Sequence, residues 1–213
     1  SEQQEQAIRQ AATSGLLLVT GGPGTGKTTI LNGILELLGQ MQLKCLLAAP
    51  TGRAAKRMTE ATGREARTIH RLLEVMWNKQ DEPVFMRNEK NVLECDALVI
   101  DEVSMVDAQL FESVMRAFPL GCRLIMVGDS DQLPSVGAGN ILGDLIASEK
   151  IPVVQLNEIF RQSMESLIVT NAHRIVKGEQ PIITETDSDF FFMGRNSLDS
   201  LSSTIADLYV NRL

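Results

Sequence analysis

The sequence predicts an α/β protein built on a mainly parallel sheet with helices on both faces. Three observations lead there. Short apolar runs alternate along the chain with longer stretches whose apolar residues recur at helical spacing. The short runs are continuously apolar, as strands covered on both sides are. Each motif with chemical potential falls directly after one of these runs, at the strand ends where such sheets bind ligands.

The elements follow in order. Gly15–Thr20 is a strand that runs into glycines, and Thr28–Leu38 has the spacing of a helix. Lys44–Ala49 is a second strand, ended by Pro50, and Arg53–Thr62 a second helix. Asp96–Ile100 is a third strand, followed by a helix over Val106–Phe118 that Pro119 stops. Arg123–Val127, a helix over Asn140–Ser148, and Val153–Leu156 continue the alternation. A helix over Met164–Val176 ends near Gly178. Two stretches depart from the pattern. Residues 77–92 are polar and turn-rich, an insertion that suits a small hairpin. Residues 181–189 read as a linker, after which Phe190–Met193 and a helix over Leu198–Leu213 suit the start of a further domain. The expected organisation is therefore one domain over 1–180 and a truncated second segment over 181–213. Ser1 and Leu213 give the chain the look of an excised piece.

With 213 residues, 44% of them hydrophobic, the chain can build a core without disulfides or metals. No apolar run reaches 18 residues, which weighs against a membrane span, and no secretory leader opens the chain. Cys45, Cys95 and Cys122 are far apart in sequence, odd in number and lack CxxC spacing. They read as reduced, small hydrophobes rather than a disulfide framework or zinc site, and the expected location is cytoplasmic. The net charge of −7 weighs against nucleic acid, but its distribution does not. Residues 51–74 hold Arg53, Lys56, Arg57, Arg64, Arg67 and Arg71 against three acids. That local excess suits either a phosphate-contacting face or a solvated helix face.

Gly21-Gly22-Pro23-Gly24-Thr25-Gly26-Lys27-Thr28 fits GxxxxGK[ST] between a strand and a helix, with Thr29 following. Glycines let backbone N–H groups curl around phosphate, Lys27 supplies charge to the β- and γ-phosphates, and Thr28 offers a hydroxyl to Mg²⁺. Leu98–Glu102 is an apolar strand ending in two carboxylates. Asp101 suits the magnesium shell, and Glu102 suits the orientation and deprotonation of an attacking water. In Val127–Pro134, the GDxxQ arrangement offers Gln132 to the γ-phosphate; a polar loop with Asx-turns is the alternative.

Taken together, GGPGTGKTT, APTGRAAKRM, TIHRLL, LVIDEVSMVD, VGDSDQLPSVGAGN and LNEIFRQ resemble superfamily 1 DNA helicases of the RecD-like, exodeoxyribonuclease V alpha subunit type. The resemblance covers nearly the whole chain. It implies a RecA-like motor lobe that binds and hydrolyses ATP with Mg²⁺ and translocates on single-stranded DNA, 5′ to 3′, in recombination or repair. Gln4, in QxxAI, matches the adenine-reading glutamine. Pro50, Thr51, Gly52 and Arg53, with Thr68 and His70, match the DNA-contacting motifs. His70 suits a structural histidine equally well. Arg161 matches an arginine that reaches the γ-phosphate, the alternative being a surface arginine paired with Glu158. Residues 77–92 lie where such helicases carry a strand-separating pin. The family's later motifs are not in the sequence, so the resemblance implies a second RecA-like lobe as partner and, in some relatives, further nuclease–helicase subunits. The alternatives are a nucleotide kinase on the same fold, an ATP-gated DNA-binding module, or a ring ATPase completed by a neighbouring subunit.

Overall fold

The computed structural model describes residues 1–78, 80, 83–160, 165–184 and 188–212. The chain divides into two compact units, Ser1–Phe160 and Arg161–Leu213.

The first unit carries six parallel strands: β1 (Leu16–Gly21), β2 (Cys45–Ala49), β3 (Ala66–Thr68), β6 (Ala97–Ile100), β7 (Arg123–Gly128) and β8 (Val153–Leu156). Across the sheet their order is β3-β2-β6-β7-β1-β8. Side chains alternate across a strand, so successive residues enter different cores. Leu17, Val19, Val99, Ile125 and Val127 join one buried cluster with α1 (Glu2–Thr13), α2 (Lys27–Gln40) and α3 (Gly52–Thr62). Leu18, Leu98, Ile100, Leu124 and Met126 join the other, with α4 (Ile69–Leu72), α5 (Ala108–Ala117) and α6 (Ile141–Ser148). The expected parallel sheet, covered on both faces, is what forms.

Some elements carry no local signal in the sequence, and others begin at different residues than the pattern predicts. Helix α1 buries Ala7 and Ala11, one turn apart, and packs so closely on α2 that a Cβ at Gly33 would stand 2.7 Å from Ile8. Strand β3 has three residues, with an exposed arginine at its centre, and exists through its ladder to β2 (Ala49 opposite Thr68). The helix expected from Val106 starts at Ala108, because Asp107 accepts from the Leu110 N–H at 2.8 Å and caps it. Ahead of it, Val103–Met105 forms a 3-10 turn. A two-stranded antiparallel hairpin, β4 (Val75–Trp77) and β5 (Pro83–Phe85), rises after α4, with Met76 and Trp77 exposed.

The second unit contains α7 (Leu167–Val176) and α8 (Leu198–Arg212). Asp189 accepts from the Leu167 N–H at 2.8 Å, and the buried Asn171 side chain exchanges hydrogen bonds with the Ile182 backbone at 2.9 and 2.7 Å. Helix α7 lies within the unit that follows Phe160. Among the described residues, no helix is long and apolar enough to cross a membrane.

Candidate functional site

Strand β1 delivers the phosphate-loop sequence to the carboxyl edge of the sheet, between the ends of β7 and β8. Gly24 and Gly26 adopt φ of +75° and +84°, which side chains other than glycine strongly disfavour. A Cβ on Gly26 would also stand 2.6 Å from the Phe160 ring and 2.7 Å from Gln4 Nε2. Thr25 Oγ1 donates to the Gly22 carbonyl at 2.8 Å, and the Phe160 N–H donates to the Gly24 carbonyl at 3.2 Å. The loop is thereby held on both sides.

Lys27 opens α2 and folds back over the loop. Its Nζ donates to the carbonyls of Gly21 (2.5 Å) and Gly22 (3.0 Å) and stands 3.9 Å from Asp129 Oδ2. Thr28 and Thr29 are exposed on the first turn of the same helix. Gln4 reaches the loop from α1, and its Nε2 is buried without a hydrogen-bond partner.

The acidic pair stands at the end of β6. Asp101 donates its N–H to the Ala48 carbonyl at 3.0 Å, and its carboxylate accepts the Glu102 N–H at 2.9 Å. Burial holds the Asp101 carboxyl above the usual carboxylate range; the Glu102 N–H, Lys27 and Arg57 pull it down, while the charge of Glu102 pushes it up. Glu102 itself sits at φ +55°, with Oε2 buried and unpaired.

Beyond β7, Asp129 is almost fully buried. One of its oxygens faces Lys27, and the other accepts the Asp131 N–H at 3.0 Å. The Gln132 N–H donates to the Asp129 carbonyl at 3.3 Å, and Gln132 Oε1 accepts from Ser104 Oγ at 3.4 Å. The loop thus joins the lysine to the turn that follows the acidic pair. Sequence reasoning assigned Asp129 no role. The signal was present, since an aspartate ending an apolar strand needs a cation or several donors.

The basic segment occupies the neighbouring end of the sheet. Thr51 caps α3, accepting from the Ala54 N–H at 3.2 Å, and Thr68 caps α4, accepting from the Arg71 N–H at 3.2 Å. Because Ala49 pairs with Thr68, the Pro50–Arg53 segment and Thr68 end adjacent strands. Gly52 and Arg53 are exposed. His70 rests against Phe85 of the hairpin, ring centroids 5.8 Å apart and tilted by 53°. Arg161 lies outside the described residues.

The residues fit a bound magnesium nucleotide. Lys27 rests on carbonyls of its own loop, and Gln4 Nε2 and Glu102 Oε2 are buried without partners. Among the described residues, no three His, Cys, Asp or Glu side chains group to hold a metal.

A six-stranded parallel sheet with a phosphate loop after β1 and an acidic pair after β6 defines a RecA-like P-loop NTPase fold. Within that class, the chain belongs to the AAA domain family, whose match spans residues 4–138. It is similar to the ATP-dependent RecD2 DNA helicase of Deinococcus radiodurans, with 40% identity over 85% of this chain and 24% of that protein. It is also similar to the RecBCD enzyme subunit RecD of Mycobacterium tuberculosis, with 39% identity over 68% of this chain and 28% of that protein. The chain thus spans about a quarter of the length of these relatives. Among solved structures, the Pif1 helicase from Candida albicans superposes with a TM-score of 0.60 at 26% identity, covering 85% of this chain and 45% of that one.

Proposed function

We propose that this chain is the ATP-binding and hydrolysing motor lobe of a DNA helicase that moves along single-stranded DNA, 5′ to 3′, in recombination or repair. The observation that carries the reading is the convergence of Lys27, Asp101, Glu102, Asp129 and Gln132 at the carboxyl edge, with unmet polar atoms on Gln4 and Glu102. The relatives named as ATP-dependent RecD2 helicase and RecBCD subunit RecD support it.

In this reading, Gln4 bonds the adenine and the Gly22–Gly26 backbone wraps the phosphates. Lys27 leaves its loop carbonyls for the β- and γ-phosphates. Thr28 and Asp101 would hold Mg²⁺, directly or through water, and the ion would supply positive charge beside the phosphates. Glu102 orients the attacking water and takes its proton, and Gln132 reports the γ-phosphate. Arg161, on the strength of LNEIFRQ, stabilises charge in the transition state. Pro50, Thr51, Gly52, Arg53, Thr68 and His70 line a path for single-stranded DNA. A second RecA-like lobe of the same parent chain closes over nucleotide and strand, other nuclease–helicase subunits are candidate partners, and the protein works in the cytoplasm.

The test is a steady-state ATPase assay on the parent protein, with and without oligothymidine. Glu102→Gln should retain nucleotide binding and lose turnover by ~10²–10⁴-fold, the range of a general base. Unchanged hydrolysis would reject that role. The 213-residue chain alone should bind Mg·nucleotide weakly and respond scarcely to DNA. Robust DNA-stimulated turnover by the monomeric chain would overturn the need for a second lobe.

A further inference from the structure

Cys95 and Cys122 are 27 residues apart in sequence, yet their sulfurs approach to 3.5 Å. Cys95 lies just before β6 and Cys122 just before β7, at the edge of the sheet remote from the phosphate loop. Both side chains belong to the same core face, packed with α5. The backbones that carry them are pinned: Asp96 donates to the Lys44 carbonyl at 2.9 Å, Arg123 to the Asp96 carbonyl at 2.9 Å, and Leu93 to the Ala117 carbonyl at 2.8 Å. A sulfur–sulfur bond would require the two atoms to close by roughly 1.5 Å, within reach of side-chain rotation. Cys122 is buried, whereas Cys95 keeps part of its surface open.

We propose that Cys95 and Cys122 are a peroxide-sensitive thiol pair that closes reversibly into a disulfide. The Cys95 thiolate attacks hydrogen peroxide; its sulfur gains one oxygen to become a sulfenic acid, and the other oxygen leaves as water after taking up a proton. The Cys122 thiol then displaces the sulfenic oxygen, which leaves as a second water as the sulfur–sulfur bond forms. Two thiols are oxidised by two electrons, and one peroxide is reduced to two waters. The division of roles follows access and charge. Cys95 is the thiol that peroxide reaches, and the hydrogen bond from Cys122 holds it below the usual thiol range, helped by Lys44 and opposed by burial and Asp96. Cys122 is pushed up by its contact with Cys95 and by burial. Cys45 packs on the other core face, where its thiol donates to the Leu43 carbonyl at 3.5 Å.

The bond would close the loop 95–122, which holds Asp101 and Glu102, and would restrict the unfolded chain across that segment. The experiment treats the protein with hydrogen peroxide, traps free thiols with a maleimide, and maps non-reduced peptides by mass spectrometry. The expected product joins Cys95 to Cys122, disappears with dithiothreitol, and raises the thermal midpoint by a few degrees until it is reduced. Cys45→Ser should leave this unchanged, while Cys122→Ser should leave Cys95 carrying oxygen or joined to an added thiol. Maleimide on both Cys95 and Cys122 after peroxide treatment, or Cys95 bridged to Cys45 or to a second chain, would overturn the proposal. The map of the unsubstituted protein decides by itself if a variant fails to fold.

Discussion

At the ends of β1, β6 and β7, polar groups are buried ahead of any need the fold has for them. Gln4 Nε2 and Glu102 Oε2 have no partners, and Lys27 is held by carbonyls of its own loop. At the ends of β2 and β3 the arrangement is the reverse. Thr51 and Thr68 already accept backbone N–H groups, and Arg53 stands in solvent. A buried polar atom without a partner costs about 1–3 kcal/mol, so the first region is strained toward a ligand. An exposed arginine costs the fold almost nothing to keep. The first region should therefore respond sharply to the loss of one side chain, and the second in small, separable steps.

The largest expected effect breaks the first region. In the parent protein, Lys27→Ala should weaken Mg·nucleotide binding by at least ~10-fold, from the loss of charge-assisted hydrogen bonds, and abolish turnover. Calorimetric titration and an ATPase assay check it together. Nucleotide binding that survives intact would erase the contrast between the two ends of the sheet.

In the second region, Arg53→Ala should weaken binding of single-stranded DNA uniformly across sequences and reduce the salt slope by roughly 1. Titrations over a salt series measure this. An unchanged slope removes Arg53 from the phosphate contacts. Thr51→Ala tests the cap itself. It should cost about 1 kcal/mol of stability through the lost bond to Ala54, read as a lower midpoint in denaturant. If DNA affinity falls beyond what the loss of folding explains, Thr51 also touches the strand.

The smallest effect sharpens the picture of the first region and depends on pH. Burial holds the Asp101 carboxyl above its ordinary range. Between the ordinary and the folded value, the native state binds more protons than the unfolded chain, so its stability falls as pH rises through that window. Asn at 101 keeps an acceptor for the Glu102 N–H without the charge. In the absence of divalent metal, Asp101→Asn should match the parent near about pH 4 and exceed it near about pH 7. Thermal midpoints across that range decide; a deficit at neutral pH would show that the charge is already compensated.

Legibility from sequence followed the same division. The strands with continuous apolar runs, the phosphate loop and the acidic pair were readable because local pattern and chemistry coincide there. Strand β3 was not, because three residues with an arginine at the centre carry no apolar run and depend on a ladder to β2. The contact between Lys27 and Asp129 joins residues on α2 and after β7, brought together only because β1 and β7 are neighbours in the sheet. The cysteines were read as separate because sequence spacing does not show that β6 and β7 start side by side. The hairpin begins at Val75, earlier than the polar composition of the insertion suggested.

Glu102 combines two costs at one position: a left-handed backbone at φ +55° and a buried oxygen without a partner. A glycine there would relieve both, so selection for thermal robustness alone would favour replacing it. Consensus design or directed evolution scored only on melting temperature would therefore drift toward erasing the residue proposed to activate water. On the proposed reading, Glu102 is a residue an engineer must hold fixed before asking the rest of the chain to become more stable.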